Sequence, residues 1–473
     1  MRTEPREGAK TMTGLEEKYR TLGGWTEKPD DLQPDLEGEV TADVVIVGAG
    51  LAGLCSALEL ARHGTKVVVL EREFAGFGAS GRNAGYLAGG QGLGYDFFLK
   101  KTGIEKARQI VRFYEEGVDF AEAKFAEHQI DCDYNPSGLI RAGIDPSQER
   151  RLRENMRIGA ELGCSSEFLD QAGMRARGIP PAFLFGSYVK RGGTLNPGKY
   201  VLGLRRAAIR AGVKLYENTP LLSYTEGPVI KVRTPRGNAS APVLIFATNA
   251  YTPQLGLLAN RVVPLRVSAI ETEPLSQEQL AALGWPGREG ITTAHWTMES
   301  HRLTARDTLV ATTKRLRYAY GSKTPSVPEH RHYQALRAAL HERFPTLKGI
   351  PIRSCWSGYI SFANDTLPVI GTASANQNIY YAAGCSGHGL GTQGLVGHMI
   401  ATRILGIENP LLAMLMDHEA PSTLPEPLRW CFTNGAFAAA NRLDERLNRK
   451  VRNARAALEH TPASHEPNKE KFS

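Results

Sequence analysis

The chain has 473 residues and a mass of 51.7 kDa, room for about two to four domains at roughly 100–200 residues each and for a large core without disulfides or metal. Hydrophobic residues at 42% and charged residues at 22% exclude a disordered or fibrous chain. No stretch reaches the roughly 20 apolar residues of a membrane helix, and Met1–Gly8 is too charged for a signal peptide, so a cytoplasmic globular protein is expected. The net charge of +8, from 57 Lys and Arg against 49 Asp and Glu, suits an anionic cofactor or substrate. Without a dense basic stripe it does not mark a nucleic-acid partner. Much of the excess lies between Arg442 and Arg455 and reads as surface charge. Cys55, Cys132, Cys164, Cys355, Cys385 and Cys431 show no CxxC spacing and are expected to be free thiols.

Residues 1–41 carry no long periodic segment and read as an irregular arm, with Trp25 and Leu36 as candidates to pin it. Asp43–Val47 is a short apolar run, a buried strand. Leu51, Leu54, Leu58 and Ala61 then recur at helical spacing until Gly64. Lys66–Leu70 is the next strand, ending at Glu71, and the three together make a β-α-β unit. Helices are predicted over 104–130, 147–163, 198–211, 328–344 and 389–405. Strands are predicted at 138–141, 213–216, 229–233, 243–247 and 378–383, and a second sheet at 262–271 and 309–320. An Ala- and Arg-rich helix is predicted near 435–457, and the last 15 or so residues read as disordered. There is no internal repeat.

Gly48, Gly50 and Gly53 lie between the first strand and the first helix. Gly48 allows the tight turn, Gly50 lets backbone approach a pyrophosphate, and Gly53 lets helix pack closely on strand. The helix N-terminus, with Leu51 and Ala52 in its first turn, favours the pyrophosphate charge. Glu71 is placed to accept hydrogen bonds from a ribose, and Arg72 to lie over or beside the adenine. Ala79, Ser80, Gly81, Arg82, Asn83, Ala84 and Gly85 follow, a small-residue loop with one hydroxyl, one guanidinium and one amide, suited to a large planar cofactor.

That loop resembles the FAD-contacting loop of the glycine/D-amino-acid oxidase superfamily, most closely the gamma-glutamylputrescine oxidase-like branch, with Ala84 where glycine is common. The resemblance continues at Asn196–Tyr200, at Ala247–Tyr251 with Thr248 and Asn249, and at Cys355–Gly358, Asp365–Gly371 and Ala383–Gly389. It covers roughly residues 18–405. It implies an α/β fold: a Rossmann-type FAD domain assembled from residues 42–92, 193–261 and 351–407, and an α+β substrate domain on an antiparallel sheet from residues 93–192 and 262–350. Residues 1–41 form the arm and 408–473 a C-terminal extension. The glycine-dense loop before the 389–405 helix, with Gly358, Gly387, His388, Gly389 and Leu390, is expected against the flavin. There the helix dipole favours the reduced, negative form. His388 either neighbours the flavin or only packs the turn. Noncovalent FAD is the expectation, although Cys355 and Cys385 lie near the cofactor motifs.

The resemblance implies oxidation of an amine or amino acid by hydride transfer to flavin N5, followed by imine hydrolysis, with O2 as the simplest acceptor and hydrogen peroxide as product. A dehydrogenase with another acceptor and a non-catalytic flavin-binding protein remain open. Arg302 is the candidate for an anionic group on the substrate, with an ordinary ion pair as the alternative. Trp296 is either an aromatic wall beside the amine or a core residue, and Tyr359 is a further candidate to approach the flavin. No metal site is expected, since HExxH is absent and the histidines are dispersed.

Overall fold

The computed structural model describes residues 14–15, 17–90, 92–416 and 418–459. The disorder expected over the last 15 or so residues lies almost wholly outside them. Around the β-α-β unit a six-stranded sheet forms in the order Val369–Ala373, Ile379–Ala383, Val243–Phe246, Val44–Val47, Val67–Leu70, Lys214–Tyr216. All its pairings are parallel except the first. Strands Val44–Val47 and Val67–Leu70 are buried along their whole length, which their near-continuous β-branched sequences require. Helix Leu51–Arg62 packs on helix Gly389–Ile404 so closely that a Cβ on Gly397 would strike the Ala52 carbonyl. Ser56 Oγ fixes this contact by donating to Gly397 O at 2.7 Å.

The second sheet has nine strands, in the order Arg317–Tyr318, Val263–Thr272, Leu309–Thr313, Glu299–Leu303, Gly290–Thr293, Leu139–Gly143, Phe185–Val189, Glu167–Leu169, with Ile352–Phe362 along the free side of Val263–Thr272. One of its pairings, Gly290–Thr293 with Leu139–Gly143, is parallel. Ile352–Phe362, placed with the cofactor domain by the sequence boundaries, bonds along Val263–Thr272 and therefore belongs to this sheet. The rear face carries Ile140, Ala142, Ile270, Ile291, Leu303 and Ala311, packed beneath helix His330–Arg343. The front face carries Ala269, Val310 and Trp356, packed with Trp25 of the arm.

Among the described residues the arm is irregular up to residue 37 and ends in strand Gly38–Thr41, which joins a four-stranded sheet with Gly237–Ala241, Ile230–Arg233 and Ser223–Thr225. Leu36 and Trp25 are both buried. The C-terminal helix is longer than its sequence signal, Leu428–Glu459. All six cysteines are unpaired, five of them buried. Among the described residues no helix is long and apolar enough to cross a membrane.

Candidate active site

The cofactor bed starts where Val47 leaves the sheet. Gly48 has φ +103°, and a Cβ there would meet Ala247 O at 2.8 Å, so the turn requires glycine. A Cβ on Gly50 would meet Ser80 Oγ at 2.8 Å. The Ser80 hydroxyl accepts from Leu51 N at 3.0 Å, and the following N–H groups of Ala52 and Gly53 have no intrahelical acceptor. Glu71 Oε2 accepts from Ala49 N at 2.8 Å and Oε1 from Glu73 N at 3.1 Å. Burial raises the Glu71 pKa, and these two N–H groups pull it partly back. The second lone pair of each oxygen stays available to ribose hydroxyls. The Arg72 guanidinium lies 5.2 Å from the Tyr251 ring centre.

The next wall is the short helix Ala79–Arg82. Asn83 Nδ2 donates to Ser80 O at 2.8 Å while its Oδ1 accepts from Gly85 N at 2.8 Å, which shapes the backbone through Ala84. Four side chains from outside hold this loop: Trp25 Nε1 on Gly81 O at 3.1 Å, Thr26 Oγ1 on the same carbonyl, Trp356 Nε1 on Arg82 O at 3.0 Å, and Arg302 Nη1 on Gly85 O at 2.9 Å. Thr248 Oγ1 pairs with Thr252 Oγ1 at 2.8 Å. Asn249 Nδ2 reaches Cys385 Sγ at 3.3 Å, while Asn249 Oδ1 is buried without a partner. Opposite, Ser386 and Gly387 take positive φ (44° and 90°), and His388 caps helix Gly389–Ile404 with its ring 5.4 Å from Tyr114. The helix therefore presents the N–H groups of Gly389, Leu390 and Gly391 to this end of the bed, the positive end of its dipole.

A glycine-lined cradle, an acid poised for a ribose, two open helix N-termini and the orphaned Asn249 Oδ1 fit a dinucleotide carrying a planar ring. The family model for FAD dependent oxidoreductases, DAO, matches residues 43–403. The chain belongs to the DAO family of FAD-dependent oxidoreductases. Within the family, it is 32% identical over 381 residues to gamma-glutamylputrescine oxidoreductase of Escherichia coli strain K12, covering 78% of this chain and 85% of that one. It is 30% identical over 388 residues to a probable oxidoreductase OrdL of Haemophilus influenzae, covering 80% and 86%. The fold is shared with glycine oxidase from Geobacillus kaustophilus, with a TM-score of 0.70, 19% identity, and 80% of this chain and 100% of that one covered. It is shared also with L-proline dehydrogenase from P. horikoshii, with a TM-score of 0.65, 21% identity, and 85% and 99% covered. FAD is the cofactor of this family.

The structure spreads the substrate candidates apart. Arg302 is buried beneath the cofactor loop, with Nη1 also on Leu195 O at 2.6 Å and its guanidinium 4.8 Å from the Trp25 ring. Burial pulls its pKa down to about 10. It borders a cavity of about 350 Å³ shared with Trp25, Asn135, Arg288, Thr304 and Arg306. Tyr359 points its hydroxyl at Pro325 O, 2.7 Å away, and lines a separate cleft with Arg82, Arg266 and Tyr251. In that cleft Arg82 lies over the Phe77 ring at 4.2 Å, its Nε and Nη2 without partners, and a Cβ on Gly358 would come within 3.5 Å of the Arg82 Cβ. Trp296 is 65% exposed, against Arg151 at 4.7 Å, its backbone N donating to Asp444 of the C-terminal helix. It is thus neither a core residue nor in contact with the cofactor loop. Sequence reading missed Trp25 and Trp356 as clamps on the loop. The Gly-Gly-Trp of the arm was visible, but its partner lies far along the chain.

Proposed function

We propose that the protein oxidises the C–N bond of an amine or amino acid, with O2 as acceptor. FAD, when bound, accepts the hydride of the substrate C–H and hands two electrons to the oxidant. The chain's own residues supply position and exclusion of water. The observation that carries the reading is the joint between the two halves. Trp356 and Arg302, both on the front face of the nine-stranded sheet, donate to carbonyls of the cofactor loop, so the sheet closes over the bed. In a dry site an amine is held neutral, since burial disfavours its ammonium form. Its lone pair then stabilises the iminium left by hydride loss, and no strong general base is needed. With water and O2 consumed, the products are a carbonyl compound, ammonia or a smaller amine, and hydrogen peroxide. A relative named for gamma-glutamylputrescine and another named glycine oxidase support a C–N bond as the target. Arg302 acts in this reading as a positioning residue for the Asn83–Gly85 segment.

Turnover of an amine and amino-acid panel in air, with peroxide detection, tests the proposal. Stoichiometric peroxide and carbonyl product are expected. Turnover only under anaerobic conditions with a quinone-type dye would establish the dehydrogenase reading instead, and no turnover with either acceptor would leave a flavin-binding protein.

A further inference from the structure

Helix Leu428–Glu459 lies outside the residues that the family model matches, and it is built inside out. Its inward side is polar. Asn434 Oδ1 accepts from Tyr318 N at 3.1 Å, and Asn441 Oδ1 accepts from Thr297 Oγ1 at 3.2 Å. The buried Asp444 accepts from Trp296 N at 2.9 Å and Thr297 N at 2.7 Å, and the buried Asn448 accepts from Arg343 Nη2 at 2.6 Å. These four positions follow at intervals of seven, three and four residues, the spacing of one side of a helix. The opposite side carries Leu428, Phe432, Gly435, Ala436, Ala439 and Leu443, all exposed. Phe432 is 68% exposed and Leu428 57%. A surface helix normally turns its apolar side to the core and its polar side to water. Here hydrogen bonds face the body and an apolar stripe about four turns long faces water.

The stripe runs on into cations. Arg442, Arg446 and Arg449 stand on the same outward side, all exposed, and no described carboxylate lies within ion-pair distance of them. Lys450 beside them pairs with Asp145 at 3.0 Å, and Glu445, at the margin of the stripe, is taken by Arg452 at 2.6 Å. On helix Glu149–Glu161, by contrast, Arg153 is matched by Glu149 at 2.8 Å and Arg157 by Glu154 at 2.8 Å. Two exposed aromatic residues lie at the apolar end: Trp430, and Tyr320 beside Gly321, whose N–H donates to Glu426 Oε1 at 3.1 Å. Charge decides what can cover this face. A second copy would bring the same cations and no outward acid. A nucleic acid would match the cations but leave Leu428 and Phe432 in water. A bilayer interface with anionic lipids matches both, since the acyl boundary takes the apolar stripe and the headgroups take the guanidinium groups.

We propose that helix Leu428–Glu459 docks the protein on an anionic lipid surface. It lies in the plane of the interface, with Leu428 and Phe432 inserted and Arg442, Arg446 and Arg449 among the headgroups. Its polar inward side holds it to the body through Tyr318, Trp296, Thr297 and Arg343, so the whole chain is carried to the surface with it. The docking is independent of the proposed reaction and requires no membrane-spanning segment.

The test floats the FAD-loaded full chain with vesicles of phosphatidylcholine alone and of phosphatidylcholine with about 30% phosphatidylglycerol. Wild type should partition about tenfold or more in favour of the anionic vesicles and lose most of that difference at about 0.5 M salt. Leu428→Ser with Phe432→Ser should lower the partition about tenfold or more, and so should Arg442→Gln, Arg446→Gln and Arg449→Gln combined. These side chains are exposed, so the flavin spectrum and the thermal midpoint should match wild type. Arg153→Gln with Arg157→Gln, on helix Glu149–Glu161, should leave the partition within about twofold of wild type. Absence of vesicle binding, equal binding to neutral and anionic vesicles, or undiminished binding by both stripe variants would overturn the proposal. A doubling of mass in light scattering that the Leu428→Ser, Phe432→Ser variant abolishes would overturn it in favour of a second copy.

Discussion

Two charged residues on opposite faces of the nine-stranded sheet, Glu299 and Arg141, are matched differently. On the rear face Glu299 is fully buried beneath helix His330–Arg343. Its carboxylate receives Arg343 Nε at 3.0 Å and Lys314 Nζ, with His301 Nε2 at 3.6 Å, and Asn448 of the C-terminal helix takes the other end of Arg343 at 2.6 Å. On the front face Arg141 has one carbonyl and no acid. The rear network is closed: every charge has its counter-charge inside the fold, and removing one leaves another stranded in low dielectric. The front charge is only partly buried and rests on one backbone carbonyl. Counter-charge separates a charge that ties helix to sheet from one that stays within reach of water.

The strongest way to break this comparison is Glu299→Gln. It strands Arg343 and Lys314, and stability should drop by about 3–5 kcal/mol, read by urea denaturation. An unchanged midpoint would show that the closed network holds nothing together. The same residue sharpens the comparison through pH. Burial pushes the Glu299 carboxyl up, but Arg343, His301, His295 and Lys314 outweigh it and hold the pKa well below the ordinary carboxylate value. A depressed folded pKa gives stability that is complete above the unfolded value near 4.3 and is lost as pH falls through the folded one. Wild type should therefore lose stability below about pH 4 more steeply than E299Q, and parallel acid limbs would contradict this assignment.

Glu71 stands between the two cases, half-buried and held by two backbone N–H groups instead of cations. Glu71→Gln should weaken FAD retention by about 1–3 kcal/mol, measured by equilibrium ultrafiltration of the released cofactor. Equal retention would remove the ribose contact. Arg302→Met tests the front-face arginine that touches the cofactor loop. It should loosen FAD and lower kcat/KM about equally for neutral and carboxylated amines, whereas a loss confined to carboxylated amines would make Arg302 the residue that reads the substrate. Smallest is Trp296→Ala, which removes an exposed indole and should change stability by no more than about 0.5 kcal/mol. A tenfold fall in kcat/KM there would restore Trp296 as a wall of the amine site.

What the sequence made legible follows the range of the interactions. The β-α-β unit, Glu71 and the Ala79–Gly85 loop were readable because a local run of residues completes each. The helices over 104–130 and 198–211 appear as Ile104–Glu127 and Pro197–Arg210 for the same reason. The assignment of Ile352–Phe362 to the cofactor half failed at longer range: its Trp-Ser-Gly motif touches Arg82, while its hydrogen bonds run along Val263–Thr272. Strands Phe185–Val189 and Glu167–Leu169 passed unread, since neither sequence alternates cleanly. Arg141 gave no local signal. Its place on the front face comes from a register with Thr292 and Ser300 that only the folded sheet sets.

The clamp of the arm on the cofactor loop bears on how the chain is completed as it is made. Arg20 N bonds Cys355 O at 2.8 Å, and the Trp25 and Trp356 rings meet edge to face at 5.1 Å. The arm leaves the ribosome about 330 residues ahead of its partner strand. At about 5–20 residues per second, Trp25 waits for tens of seconds. Through that interval the Gly81 and Arg82 carbonyls lack their full set of indole donors. The glycine-rich turn and its helix can assemble early, but the bed acquires its final shape only when the C-terminal part of the nine-stranded sheet has been added. The final shape of the bed therefore waits on the same long-range contacts that join the two halves.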